Sequence, residues 1–231
     1  MTKIMTCYIV LQIIRKVDTI SMDSIIKVSP NAASVTGTSA KLRAGDELRV
    51  EDLLYGLMLP SGNDAAVALG EVFGKVLLPG TNKPLKAFIG EMNRVATELG
   101  MTNTYFKNPH GLMIRRNLST AMDICKLAAS ALRIPDFRQI VNTTRYITSI
   151  KSAEGEIKEV VWENTNQLLS KGFEGVKTGI TNNAGPCLCA SIRREDSHLI
   201  ITVLNSKSMN HRWVEVPKLA EWAFQKLSKV T

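Results

Sequence analysis

Apolar side chains at positions 4, 5, 8, 9, 11 and 14 leave little polar surface on a helix running from the first residue to about 16. That is the pattern of a helix buried in the middle of a fold, here opening without a capping residue. Residues 24–28 read as β, and residues 30–45, rich in Ser, Thr, Ala and Gly, as an irregular loop with short strands. Val50-Glu51-Asp52-Leu53-Leu54 opens a short helix that ends before Pro60. A closely packing helix follows over residues 64–73, ended by Gly74 and Pro79-Gly80. Pro84 starts another, with Phe88, Met92, Val95 and Leu99 on one face and Gly100 as its stop. Asn108-Pro109-His110-Gly111 is a turn, Ser119 or Thr120 caps a helix through residue 132, and Pro135 starts a short one.

Beyond Asn142 the period shortens to that of strands, predicted over 145–150, 157–162, 175–180, 185–192 and 198–204. The last, Leu199-Ile200-Ile201-Thr202-Val203-Leu204, is apolar almost throughout, which predicts a central strand covered on both faces. An amphipathic helix over 213–227 closes the chain. No repeat or linker interrupts this plan. It predicts an α/β fold in a single domain, residues 1–231, with a mostly helical subdomain at about 50–141.

The chain has 231 residues, 45% of them apolar, enough for a sizeable core. A formal charge of +8 fits an acidic partner, an anionic surface or a carboxylate-bearing ligand, yet the charges are scattered and aromatics make up only 6%, which argues against nucleic acid. Cys7, Cys125, Cys187 and Cys189 form no CxxC pair and have no His at zinc spacing, so they read as small buried hydrophobes, with no metal or cofactor expected. No signal-peptide order and no membrane-length apolar segment is present, which predicts a soluble, untargeted chain.

Acyl transfer needs a nucleophile, a base and donors for the oxyanion. The three histidines give no Ser-His-Asp set: His110 lies in a turn, His198 opens a strand and His211 lies in a charged loop. A serine and a lysine one helical turn apart would serve instead, provided burial or nearby cations depress the lysine pKa.

Three stretches carry that chemistry in order: Thr2-Lys3-Ile4-Met5-Thr6, Leu59-Pro60-Ser61-Gly62-Asn63-Asp64-Ala65-Ala66 and Gly175-Val176-Lys177-Thr178-Gly179. With Thr104 to Leu112 and Asn164 to Leu169, they make the chain resemble the serine-type D-Ala-D-Ala carboxypeptidases, the low-molecular-mass penicillin-binding proteins. Ser-Gly-Asn rather than Ser-Asp-Asn favours this family over the class A β-lactamases. The resemblance implies an antiparallel sheet flanked by helices with an all-α insertion. It implies Lys3 as general base, Ser61 and Asn63 as proton relay and substrate-amide contact, and Lys177 as the electrostatic partner of the relay. Thr178 and Arg212 match positions that hold the substrate's terminal carboxylate, Gly179 belongs to the same motif, and the N–H of Ile180 would be an oxyanion donor.

The family's nucleophile is the Ser three positions before Lys3, which falls ahead of Met1, and Thr2 points elsewhere on the helix. The chain as written is therefore expected to lack acyl-enzyme chemistry and the N-terminal strands that the family pairs with strand 198–204. That strand would be an open edge, to be covered by residues upstream or by a protein partner. Two functions follow: a carboxypeptidase acting on a peptide with a C-terminal carboxylate, or a pseudoenzyme docking into an assembly through the edge at Leu199 and its neighbours. Retention of the carboxylate site alone would give a peptide-binding scaffold. The family is typically extracytoplasmic.

Overall fold

The uniformly apolar first segment does fold as a central helix. In the computed structural model, which describes residues 1–112 and 117–229, α1 (Thr2–Ile14) has ten of its side chains buried and no side-chain cap at its N-terminus. The segment 24–50 forms β1 (Ile25–Lys27), α2 (Pro30–Ala33) and β2 (Glu47–Arg49), so the short strands expected within 30–45 are absent among these residues. Ser29 caps α2 with its hydroxyl, and Pro30 fills the first helical position, where its missing N–H costs nothing. The helical subdomain comprises α3 (Val50–Met58), α4 (Asn63–Leu77), α5 (Pro84–Glu98), α6 (Ala121–Ala131) and α7 (Pro135–Asn142). Asp52 accepts the Arg49 N–H at 3.1 Å to start α3, and Thr120 accepts the Asp123 N–H at 3.2 Å to start α6. Gly74 does not end α4. It lies inside the helix because the start of α5 presses on it: a Cβ there would stand 2.0 Å from the Pro84 carbonyl oxygen.

The remaining strands divide between two antiparallel sheets rather than one. β3 (Arg145–Lys151) and β4 (Ile157–Glu163) join the first pair in the order β1-β2-β3-β4. β5 (Val176–Thr181), β6 (Gly185–Arg194) and β7 (Ser197–Val203) form the second sheet in chain order. Leu188, Ala190 and Ile192 on β6 pack with Val216 and Ala220 of the last helix, α8 (Arg212–Leu227). Cys189 points to the opposite face and, with Val176 at the start of β5, joins the main core around α1, where Phe73, Phe88, Phe106 and Phe137 are fully buried. Each such ring contributes about 1.5–3 kcal/mol by leaving water.

Helices α6 and α8 pack on strand β7, but none of its residues is fully buried, and among the described residues it is an edge strand and not the covered central one that its apolar run predicts. Helix α6 packs beside it, with the Cys125 Sγ 3.2 Å from Thr202 Oγ1 and 3.8 Å from the Ile200 carbonyl oxygen. Cys125 is thus half-buried, whereas Cys7, Cys187 and Cys189 are buried. Among the described residues no helix is long and apolar enough to cross a membrane.

Candidate active site

The first turn of α1 carries Lys3 into the interior, where the residue is 5% exposed. Its Nζ donates to Asn63 Oδ1 at 2.6 Å and to the His110 carbonyl at 2.9 Å. Burial lowers its pKa from 10.5 to about 7, with the Asp64 carboxylate opposing that shift. A lysine whose basicity burial has lowered in this way can take up a proton near neutral pH.

Ser61-Gly62-Asn63 connects α3 to α4 in a tight path. Ser61 has φ 66°, a left-handed conformation that side chains other than glycine rarely adopt, and its carbonyl accepts from Thr38 Oγ1 at 2.6 Å. At Gly62 a Cβ would come within 2.6 Å of Asp64 Oδ1 and 2.8 Å of the Gly56 carbonyl oxygen, so only glycine fits. Asn63 is held by three bonds: its N–H to the Thr38 carbonyl at 2.8 Å, its Nδ2 to the Thr36 carbonyl at 2.7 Å, and its Oδ1 to Lys3. Asp64 then accepts from Ser39 Oγ at 2.6 Å, from the Ala40 N–H at 2.9 Å and from the Leu42 N–H at 3.1 Å. Residues 36–42, expected only as part of a loop, therefore form the wall that orients Asn63. Gly37, at φ +91°, was the available signal: a Cβ there would lie 2.7 Å from Asn63 Nδ2.

Across the site β5 presents Lys177, which is 2% exposed and whose Nζ has no hydrogen-bond partner among the described residues. Burial, followed by the charges of Lys3 and Arg212, holds its pKa well below the usual lysine value. Thr178 Oγ1 shares a 2.7 Å hydrogen bond with Thr165 Oγ1. The backbone of Ile180 faces the free edge of β5 for a specific reason. Its register partner is Pro186, which has no N–H and whose carbonyl accepts from Ser206, so neither group can pair with Ile180. Gly179 leaves room for the Met1 amino group, which would stand 3.3 Å from a Cβ at that position.

Arg212 sits at the start of α8 and is tied to the sheet. Its Nη1 donates to the carbonyls of Gly179 at 3.2 Å and Cys187 at 3.1 Å, its guanidinium carbon lies 4.5 Å from the Trp213 ring centroid, and its Nε is buried without a partner among the described residues. Lys3, Ser61, Asn63, Lys177, Thr178, Gly179, Ile180 and Arg212 thus come from four separated stretches of chain to one region. Beside it, Met1, Gly111, Ser119, Ile180 and Asn183 line part of a cavity of about 510 Å³.

A buried lysine on a central helix, a Ser-Gly-Asn turn and a Lys-Thr-Gly strand, assembled between an antiparallel sheet and a helical subdomain, define the penicillin-recognising class of α/β proteins. The family model for D-alanyl-D-alanine carboxypeptidase matches residues 1–208. A D-alanyl-D-alanine carboxypeptidase of Streptomyces sp. (strain K15) is 36% identical over 96% of this chain and 77% of its own length. The carboxypeptidase DacF of Bacillus subtilis (strain 168) is 34% identical over 97% of this chain, which spans only 55% of it. The crystal structure of the Streptomyces K15 DD-transpeptidase superposes with a TM-score of 0.88 at 36% identity, covering 97% of this chain and 86% of that one. The chain belongs to the D-alanyl-D-alanine carboxypeptidase family.

Proposed function

We propose that this domain binds a peptide ending in a D-Ala-D-Ala-like carboxylate and provides the acid–base half of acyl transfer. The observation that carries the reading is the pairing of Lys3, bonded to Asn63 Oδ1 at 2.6 Å, with a buried Lys177 that has no partner among the described residues. In this reading Lys3 accepts the proton of an attacking hydroxyl, and Ser61 passes a proton to the leaving amine. Asn63 orients the substrate amide. The outward N–H of Ile180 donates to the oxyanion, and Lys177 with Thr178 receives the terminal carboxylate. Arg212 acts from one bond further away: its Nη1 holds the Gly179 and Cys187 carbonyls, and its charge adds to the positive potential at β5.

The resemblance sets the attacking serine three residues before Lys3, a position numbered ahead of Met1. For the 231 residues alone the proposal is therefore substrate binding without an acyl-enzyme. A fluorescent penicillin incubated with this chain tests it: no covalent label is expected, whereas a label surviving denaturation would overturn the binding-only reading. The same domain with a serine at the preceding family position is expected to take the label.

A second reading, an interaction subunit, draws on the sheet edge. The alternation of paired and unpaired residues leaves the backbone groups of His198, Ile200 and Thr202 facing away from β6. A partner strand added there would extend the sheet. Copurification of a partner lost when Ile200 is replaced by Pro, with the fold retained, would favour this reading.

A further inference from the structure

Two consecutive carbonyls of one turn meet two side chains of one helix. The His110 carbonyl accepts from Lys3 Nζ at 2.9 Å and the Pro109 carbonyl from Thr6 Oγ1 at 2.6 Å, the donors being one helical turn apart on α1. For both carbonyls to face α1, the chain must bend sharply around them, and Asn108 holds that bend from inside. Its Oδ1 accepts the Gly111 N–H at 2.6 Å and its Nδ2 donates to the Leu112 carbonyl at 2.8 Å. His110 Nδ1 accepts the Leu112 N–H at 3.1 Å, which places the proton of the neutral ring on Nε2. Gly111 has φ +88° and abuts the helix start: a Cβ there would stand 2.8 Å from Thr2 Oγ1. Asn108 is itself 5% exposed, and its side-chain bonds all lie within the turn.

We propose that Asn108 is a positioning residue for Lys3: by bridging Gly111 and Leu112 it fixes the turn that aims the His110 carbonyl at the lysine ammonium and closes the site around it. The inference rests on the reading of Lys3 as the proton acceptor. Asn63 holds Lys3 from one side, and the 108–112 turn holds it from the other. An alanine at 108 frees the Gly111 N–H and the Leu112 carbonyl, so the turn loosens and water reaches Lys3. Burial is the main cause of the depressed lysine basicity, so relief of burial restores it.

The test is a pH titration of Lys3 by NMR in lysine-labelled protein, its signal assigned by its loss in Lys3→Met. Asn108→Ala is expected to raise the Lys3 midpoint by about one pH unit or more. Asn108→Ser, which keeps an acceptor for Gly111 but loses the bond to Leu112, is expected to give a smaller rise. An unchanged Lys3 midpoint in whichever of these variants folds overturns the assignment. A midpoint near the ordinary lysine value in the unmodified chain would instead overturn the base role of Lys3, so the two failures are distinct.

Discussion

The two walls of the site are built on opposite terms. On the helical wall the buried side chains are paired: Lys3 bonds Asn63 and His110, Asn63 bonds Thr36 and Thr38, and Asp64 takes three donors from residues 39–42. On the sheet wall the donors wait: among the described residues Lys177 Nζ and Arg212 Nε are buried without acceptors, and the Ile180 backbone faces an open edge. A buried unpaired donor costs about 1–3 kcal/mol, more when it is charged, so the sheet wall is held at a cost that an anionic ligand would offset. In the proposed reading the helical wall is a rigid frame for proton transfer, and the sheet wall is a receptor for an anion.

The comparison can be broken most severely at Asp64. Asp64→Ala leaves the buried N–H groups of Ala40 and Leu42 unsatisfied and frees the exposed Ser39 hydroxyl, and is expected to lower stability by about 3 kcal/mol in urea unfolding. A loss below about 1 kcal/mol would mean that residues 36–42 are not held as described.

Acidity acts on both walls. Below about pH 7 Lys3 is charged whether the chain is folded or not, and above its ordinary value of 10.5 it is neutral in both states. Between these limits the unfolded chain keeps a proton that the folded one has lost, so stability rises with pH; the lowered Lys177 pKa acts in the same direction. Burial raises the Cys7 and Cys189 thiols above their ordinary value of 9.0, which opposes the rise at higher pH. The expected gain is about 2 kcal/mol from pH 7 to 9, read by urea unfolding and reduced in Lys3→Met. A flat profile would contradict the burial of both lysines.

The two lysines themselves give a difference of sign. Lys3→Met strands the Asn63 and His110 oxygens and is expected to destabilise by about 1–2 kcal/mol, whereas Lys177→Met removes an orphaned donor and is expected to stabilise by about 1 kcal/mol. Changes of the same sign in thermal unfolding would erase the distinction between the walls.

Sequence pattern revealed the parts of this site that depend on local order. The apolar period of α1 buried Lys3, Pro84 and Pro135 marked helix starts, and Lys177-Thr178-Gly179 fell on a strand. What it did not reveal depends on distant partners. Residues 36–42 look like any polar loop until Asp64 and Asn63 engage their backbone, and Gly74 looks like a stop until Pro84 packs on it. The division of the strands into two sheets and the edge position of β7 are set by pairing, which the apolar run at 199–204 does not encode. The resemblance selected Arg212, but its bonds to Gly179 and Cys187 become visible only when α8 packs on the sheet.

The most direct measurement is calorimetric binding of a peptide ending in D-Ala-D-Ala, compared with the same peptide amidated at its C-terminus. The free acid is expected to bind at least about tenfold more tightly than the amide, and Lys177→Met to remove this preference while the fold persists. Equal binding of acid and amide, or an undiminished preference in Lys177→Met, would contradict the assignment of the sheet wall as a carboxylate receptor.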